Sequence, residues 1–183
     1  MKFFLLLFGL MALSINSESQ TIKDYDICKY KIAYNYLFND SILYNDSVNF
    51  NGLQLSKRTT VVSDSIVYIH KFTFYKQYKN QNETDRDAAT RIGELDNMEW
   101  FSPVYSSLIS DVFPNKNIQN PLFILYFSKV ENNILLCELM PLHKPENYSY
   151  LKNAYYNQSY TYLFLFDEND IIKTVEKEII AYN

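Results

Sequence analysis

The chain has 183 residues, of which 48% are hydrophobic, 17% aromatic and 21% charged, with only 3 Gly and a formal net charge of -4. That apolar content excludes a disordered chain, and so little glycine excludes a collagen-like one. The acidic balance, with Lys57-Arg58 as the longest basic run, excludes a nucleic-acid binder that works through a positive face.

The first nineteen residues carry an address. Met1-Lys2 is a short positive start, Phe3 to Leu13 is an apolar run broken only by Gly9, and Ser14 to Ser19 is small and polar. This is the three-part layout of a secretory signal peptide, and eleven apolar residues are too few to cross a bilayer, which needs roughly 20 in a helix. Small residues at Ser17 and Ser19 place the cut between Ser19 and Gln20, with a cut after Ser17 as the second choice. The expected mature chain, residues 20–183, keeps the charge of -4, has no further stretch of membrane-spanning length, and is of a size for one domain. The abundance of residues with AT-rich codons, among them 17 Tyr, 13 Phe and 19 Asn, suggests a bacterium exporting the protein to the periplasm or beyond.

In chain order, Ile22 to Phe38 is expected to be a helix, with Tyr25, Cys28, Ile32 and Tyr36 as its apolar stripe. Ser47 to Leu55 and Ile66 to Tyr75 read as strands, the second dense in β-branched and aromatic residues; Ser56 to Ser65 could extend either strand or form a loop. Lys76 to Asp87 is a polar connection, followed by a short helix through Ala88, Ala89, Ile92 and Leu95 that Gly93 weakens. Ser102-Pro103 resembles an N-cap followed by Pro in the first turn, opening a helix through Val112 that Pro114 stops. Trp100, at its entrance, reads as a core anchor.

The last third is predicted to be an antiparallel meander of Leu122 to Val130, Ile134 to Leu142, Tyr160 to Asp167 and Ile171 to Ala181. Glu131-Asn132-Asn133 and Glu168-Asn169-Asp170 are polar joints short enough to impose hairpins. Its first strand is apolar on both sides and is expected to be central, whereas the last alternates and has one side toward solvent. The fold class is therefore α+β, a curved antiparallel sheet of the C-terminal four strands plus one or two N-terminal strands on two to three helices. By element order this resembles the NTF2-like architecture, or a cystatin-like sheet over one helix. That is an outline only, and it brings no activity with it.

Several chemistries are missing. With Gly52 and Gly93 as the only glycines after the leader, neither a phosphate-cradling loop nor a dinucleotide-binding turn can be written, and no cofactor is expected. Cys28, Cys137, His70 and His143 contain no closely spaced ligand pair, so no metal site is expected. Cys28 and Cys137 could close one disulfide, which over a loop of ~100 residues contributes up to about 5 kcal/mol in the chain-entropy account, or remain as two buried thiols.

Three groups of residues are candidates for function. Strand alternation places His70 with Ile66, Tyr68, Phe72 and Phe74, and Glu138 with Ile134, Leu136 and Met140. A carboxylate in an apolar pocket would have its pKa raised by desolvation; if Glu138 and His70 faced one cavity, they would suit proton transfer. The bland alternatives are a core histidine and a carboxylate that is solvated or paired with a Lys. Tyr148, Tyr150, Tyr155 and Tyr156, interleaved with Asn, have the composition of a recognition surface, unless Tyr simply replaces other core residues. Finally, five Asn-X-Ser/Thr sequons occur, at Asn39, Asn45, Asn82, Asn147 and Asn157, and Asp40-Ser41-Ile42, Asp46-Ser47-Val48 and Asp64-Ser65-Ile66 resemble the Asp-Ser-apolar acceptor pattern of a bacterial periplasmic O-glycosylation system. The function expected is non-catalytic binding of an envelope protein or a glycan, or structural support at the cell envelope. The alternative is a small-ligand carrier or enzyme with its pocket inside the sheet, using Glu138 and His70.

Overall fold

The computed structural model describes residues 24–39, 59–99, 112–113, 118–142, 150 and 158–181. The leader expected over residues 1–19, the strand expected at 47–55, Trp100 and, but for Val112, the helix expected at 102–112 lie outside them. The described elements are helix α1 (Asp24–Asn39), strand β1 (Thr60–Ile66), a 3-10 helix (Phe72–Tyr78), helix α2 (Asp85–Glu99) and strands β2 (Phe123–Phe127), β3 (Ile134–Pro141), β4 (Gln158–Phe166) and β5 (Ile172–Ala181). The five strands form one open sheet in the order β1-β2-β3-β4-β5.

The meander follows from its turns. Asn132 and Asn133 both take positive φ, 50° and 62°, and Glu131 and Ile134 exchange backbone hydrogen bonds of 2.9 and 2.8 Å across them. A two-residue loop with both residues left-handed matches the twist of a hairpin, and Asn tolerates that conformation without glycine. At the second hairpin, Asp170 has φ 60° and the Asp167 carboxylate accepts the N–H groups of Asn169 and Ile171 at 2.8 and 2.9 Å. The strands β2 to β5 are antiparallel throughout. β1 departs from the all-antiparallel expectation, because it runs parallel to β2. Parallel neighbours need a long crossover, and here that crossover carries the 3-10 helix and α2.

Every residue of β2 is buried, as a strand covered on both faces requires. On one face Phe123, Leu125, Phe127, Leu135, Cys137 and Phe164 pack against Tyr30, Ala33 and Leu37 of α1. The fully buried stripe of α1 is thus Tyr30-Ala33-Leu37; of the expected stripe, Ile32 and Tyr36 pack partly buried beside it and Cys28 is exposed. The second half of this helix is apolar nearly all round, so periodicity does not select a face. The sheet does, through the edge-on packing of Tyr30 on Phe127 and Tyr36 on Phe164 and the 3.0 Å hydrogen bond from the Tyr30 hydroxyl to the Ser128 carbonyl. Lys29, also buried, reaches Asp170 in the second hairpin. Fully burying side chains such as Leu37 stabilises by about 1.5–3 kcal/mol each, and this helix contributes several.

On the other face Ile124, Tyr126, Leu136, Met140 and Leu163 meet Val67, Ile69 and Phe74. The strand expected over Ile66 to Tyr75 is not formed beyond Ile66, where β1 ends; residues 67–71 carry no regular structure, and the 3-10 helix follows from Phe72. Val67 and Ile69 are buried and Phe72 is 52% exposed, whereas Ile66 and Phe74 are buried as expected, so the period of two does not hold along this segment. The polar connection Lys76 to Asp87 is structured at both ends. Thr84 caps α2, its hydroxyl bonding the Asp87 N–H at 3.2 Å and the Asp87 carboxylate at 2.6 Å, and Asp85 and Asp87 suit the helix N-terminus. The Arg91 guanidinium grips Glu83 through two hydrogen bonds of 2.8 and 2.9 Å and holds that carboxyl down to about 2. No described helix is long and apolar enough to cross a membrane.

Candidate functional site

Glu138 sits in the middle of β3, opposite Tyr126 of β2 and Thr161 of β4, on the face shared with Leu136 and Met140. It is fully buried. Its Oε2 accepts a hydrogen bond of 2.6 Å from the Tyr150 hydroxyl, and its Oε1 accepts one from the Ser159 hydroxyl, a diagonal neighbour on β4. Tyr150 is itself only 6% exposed and packs edge-on against Tyr126, with ring centroids 5.0 Å apart. A buried carboxyl is tolerable because hydroxyls from two directions satisfy it. Of the tyrosines expected to form a recognition surface, Tyr150 is therefore a core residue; Tyr148, Tyr155 and Tyr156 lie outside the described residues.

The second polar centre is built by Asp96. On α2 the buried positions are Ala88, Ile92 and Asp96, one turn apart on one stripe, so a carboxylate occupies an inward-facing site. Asp96 is 5% exposed, and it accepts the backbone N–H groups of Lys71 at 3.0 and 3.1 Å and of Phe72 at 2.8 Å, together with the Tyr68 hydroxyl at 2.6 Å. Those bonds explain why the chain leaves the sheet after β1: its N–H groups find a carboxylate in place of a neighbouring strand. Burial pushes the Tyr68 phenol up, and its hydrogen bond to Asp96 adds to the shift. His70, half-buried beside Tyr68 with ring centroids 6.5 Å apart, is pushed down by desolvation, against the opposing pull of Asp96.

Lys71 completes this centre. Its ammonium pairs with Glu131 of the first hairpin at 2.6 Å and lies over the rings of Tyr68 and Tyr78, 5.1 and 5.4 Å from their centroids. Burial and the nearby Glu131 push the Tyr78 phenol up. Between these groups opens a cleft of about 260 Å3. Ile66, Ile69 and Leu95 supply its apolar floor; Tyr68, Lys71, Glu99, Lys129 and Glu131 supply its polar wall. It lies where the parallel strands β1 and β2 both end, at Ile66 and Phe127, the latter followed by Ser128 in the cleft lining.

The sequence-derived pair is not assembled in this cleft. Neither Glu138 nor His70 lines it. Glu138 belongs to the centre of the sheet and His70 to the segment beyond β1. Cys28 and Cys137 are both free thiols; Cys28 is exposed and Cys137, fully buried among apolar side chains, has its thiol pushed up by desolvation. No group of three or more His, Cys, Asp or Glu among the described residues could hold a metal ion. Sequence reasoning missed Asp96, Lys71 and Glu131. A signal for Asp96 was present, since a charged residue four positions after Ile92 and eight after Ala88 falls on the apolar stripe of its helix. No protein-family model matches the chain, and no curated protein or solved structure is significantly similar to it.

Proposed function

We propose that the mature chain, residues 20–183, is an exported, non-catalytic binding module of the cell envelope. Its ligand, an envelope protein segment or a glycan, enters the cleft at the ends of β1 and β2. One observation carries this reading: the cleft combines an apolar floor with a wall of hydroxyl, cationic and anionic groups, in which Lys71 and Glu131 form an ion pair and the Tyr68 hydroxyl is held by Asp96. A few convergent polar groups over an apolar floor are what fixes the orientation of a bound ligand. Ligands of open sheets with parallel strands gather at the carboxyl ends of those strands, and the position of the cleft agrees with that rule by analogy. The enzyme or carrier reading through Glu138 and His70 has less support, because Glu138 is enclosed by Tyr150, Ser159 and the core around them.

The test has two arms. Mass spectrometry of the chain recovered from its own cells is expected to find Gln20 at the N-terminus; Met1 still attached would overturn export. Immobilised mature protein is expected to retain a component of envelope extract that Leu95→Trp, which fills the floor of the cleft, releases. Equal retention by both forms would place the binding surface elsewhere.

A further inference from the structure

We propose that Ser65 is an O-glycosylation site, modified outside the cytoplasm by a transferase that reads Asp64-Ser65-Ile66. The inference rests on the export reading for its compartment, but its structural basis is separate. Between the pairs Val62–Leu125 and Ile66–Phe127, β1 spends four residue steps where β2 spends two, so Ser63 to Ser65 bulge from the ladder. The bulge sorts the hydroxyls of this strand. Thr60 and Ser63 are buried, 2% and 3% exposed, and the Ser63 hydroxyl oxygen accepts the Ser65 N–H at 3.1 Å. Asp64 is exposed and Ser65 is partly exposed, and the Ser65 hydroxyl has no hydrogen-bond partner among the described residues. Ile66, the apolar member of the pattern, is buried and anchors the C-terminal side of the bulge. Of the three matches to the acceptor pattern, this is the one within the described residues, and there the carboxylate and the hydroxyl are both presented to a protein outside.

The chemistry is a glycosyl transfer from a lipid-diphosphate-linked sugar. The Ser65 Oγ bonds to the anomeric carbon, the bond from that carbon to the diphosphate oxygen breaks, the lipid diphosphate leaves with its electron pair, and the hydroxyl proton passes to a base of the transferase. β1 is an edge of the sheet among the described strands. A bulky, hydrated sugar on its bulge would block pairing of that edge with another chain, a hazard that edge strands carry.

The experiment uses the full chain produced in its own cells. Trypsin releases Thr59–Lys71, and electron-transfer fragmentation locates any added mass within it. The expected result is a mature N-terminus near Gln20 and one or more sugars on Ser65, lost in Ser65→Ala and in Asp64→Asn but kept in Ser63→Ala. A processed N-terminus with the Thr59–Lys71 peptide at its unmodified mass overturns the Ser65 assignment and leaves export standing. A sugar on Thr59, Thr60 or Ser63 overturns it as well. Met1 still attached overturns export and the modification together.

Discussion

Replacing Tyr150 with Phe isolates the role of the buried Glu138. The substitution keeps the ring, and with it the edge-on contact to Tyr126 at 5.0 Å, and removes only the hydroxyl that donates to Glu138 at 2.6 Å. Tyr150 lies between β3 and β4 in the chain, and this bond ties its side chain to the face of the sheet. A buried acceptor that loses its donor costs about 1–3 kcal/mol, and the fully buried position of Glu138 removes water as a ready substitute. In a chain of this size the loss corresponds to roughly 2–12 °C in Tm. Urea unfolding of residues 20–183, with the midpoint lowered at constant slope, is the appropriate assay. Ser159→Ala is expected to cost a similar amount, and the double variant to deviate from the sum of the two, because both hydroxyls serve one carboxyl. If Tyr150→Phe changes stability by less than about 0.5 kcal/mol, the level of an ordinary surface substitution, the enclosure of Glu138 is wrong and a solvated, reactive carboxylate returns to consideration.

Asp96→Ala strands two backbone N–H groups and the Tyr68 hydroxyl, and is expected to destabilise by about 3 kcal/mol or more, with faster tryptic cleavage after Lys71 as its local signature. Gly93→Ala works in the other direction: a Cβ there would sit 3.5 Å from Phe72 Cδ2, an ordinary contact, so the gain in helix propensity, about 0.5–1 kcal/mol, should appear as a raised urea midpoint. The Glu83 carboxyl, depressed from 4.5 to about 2 chiefly by its hydrogen bonds with Arg91, contributes stability that is complete above pH 4.5 and is lost as pH falls toward 2. An NMR titration should show that midpoint near 2, and Arg91→Met should return it to the ordinary carboxylate range. A thiol reagent should label Cys28 in the native protein and Cys137 only after unfolding; rapid labelling of both would contradict the burial of β3.

Whatever depends on neighbours in the chain was legible in the amino-acid sequence. The hairpins at Asn132-Asn133 and around Asp170 are examples, since the left-handed backbone they need is a local preference of Asn and Asp, and the runs of β2 and β3 are apolar on both faces because both faces are covered. So was Glu138 on the face of Leu136 and Met140, because strand alternation is geometric.

Tertiary structure alone decided where β1 ends, which stripe of α1 is buried, that β1 runs parallel to β2, and that Tyr150 and Ser159 close over Glu138. Each of these is set by a partner far away in the sequence: Asp96 takes the N–H groups of Lys71 and Phe72, and Phe127 and Phe164 choose the face of α1. Propensity and period register what a residue prefers by itself, whereas the cleft and the buried carboxyls arise from groups that meet only when helices and sheet have packed.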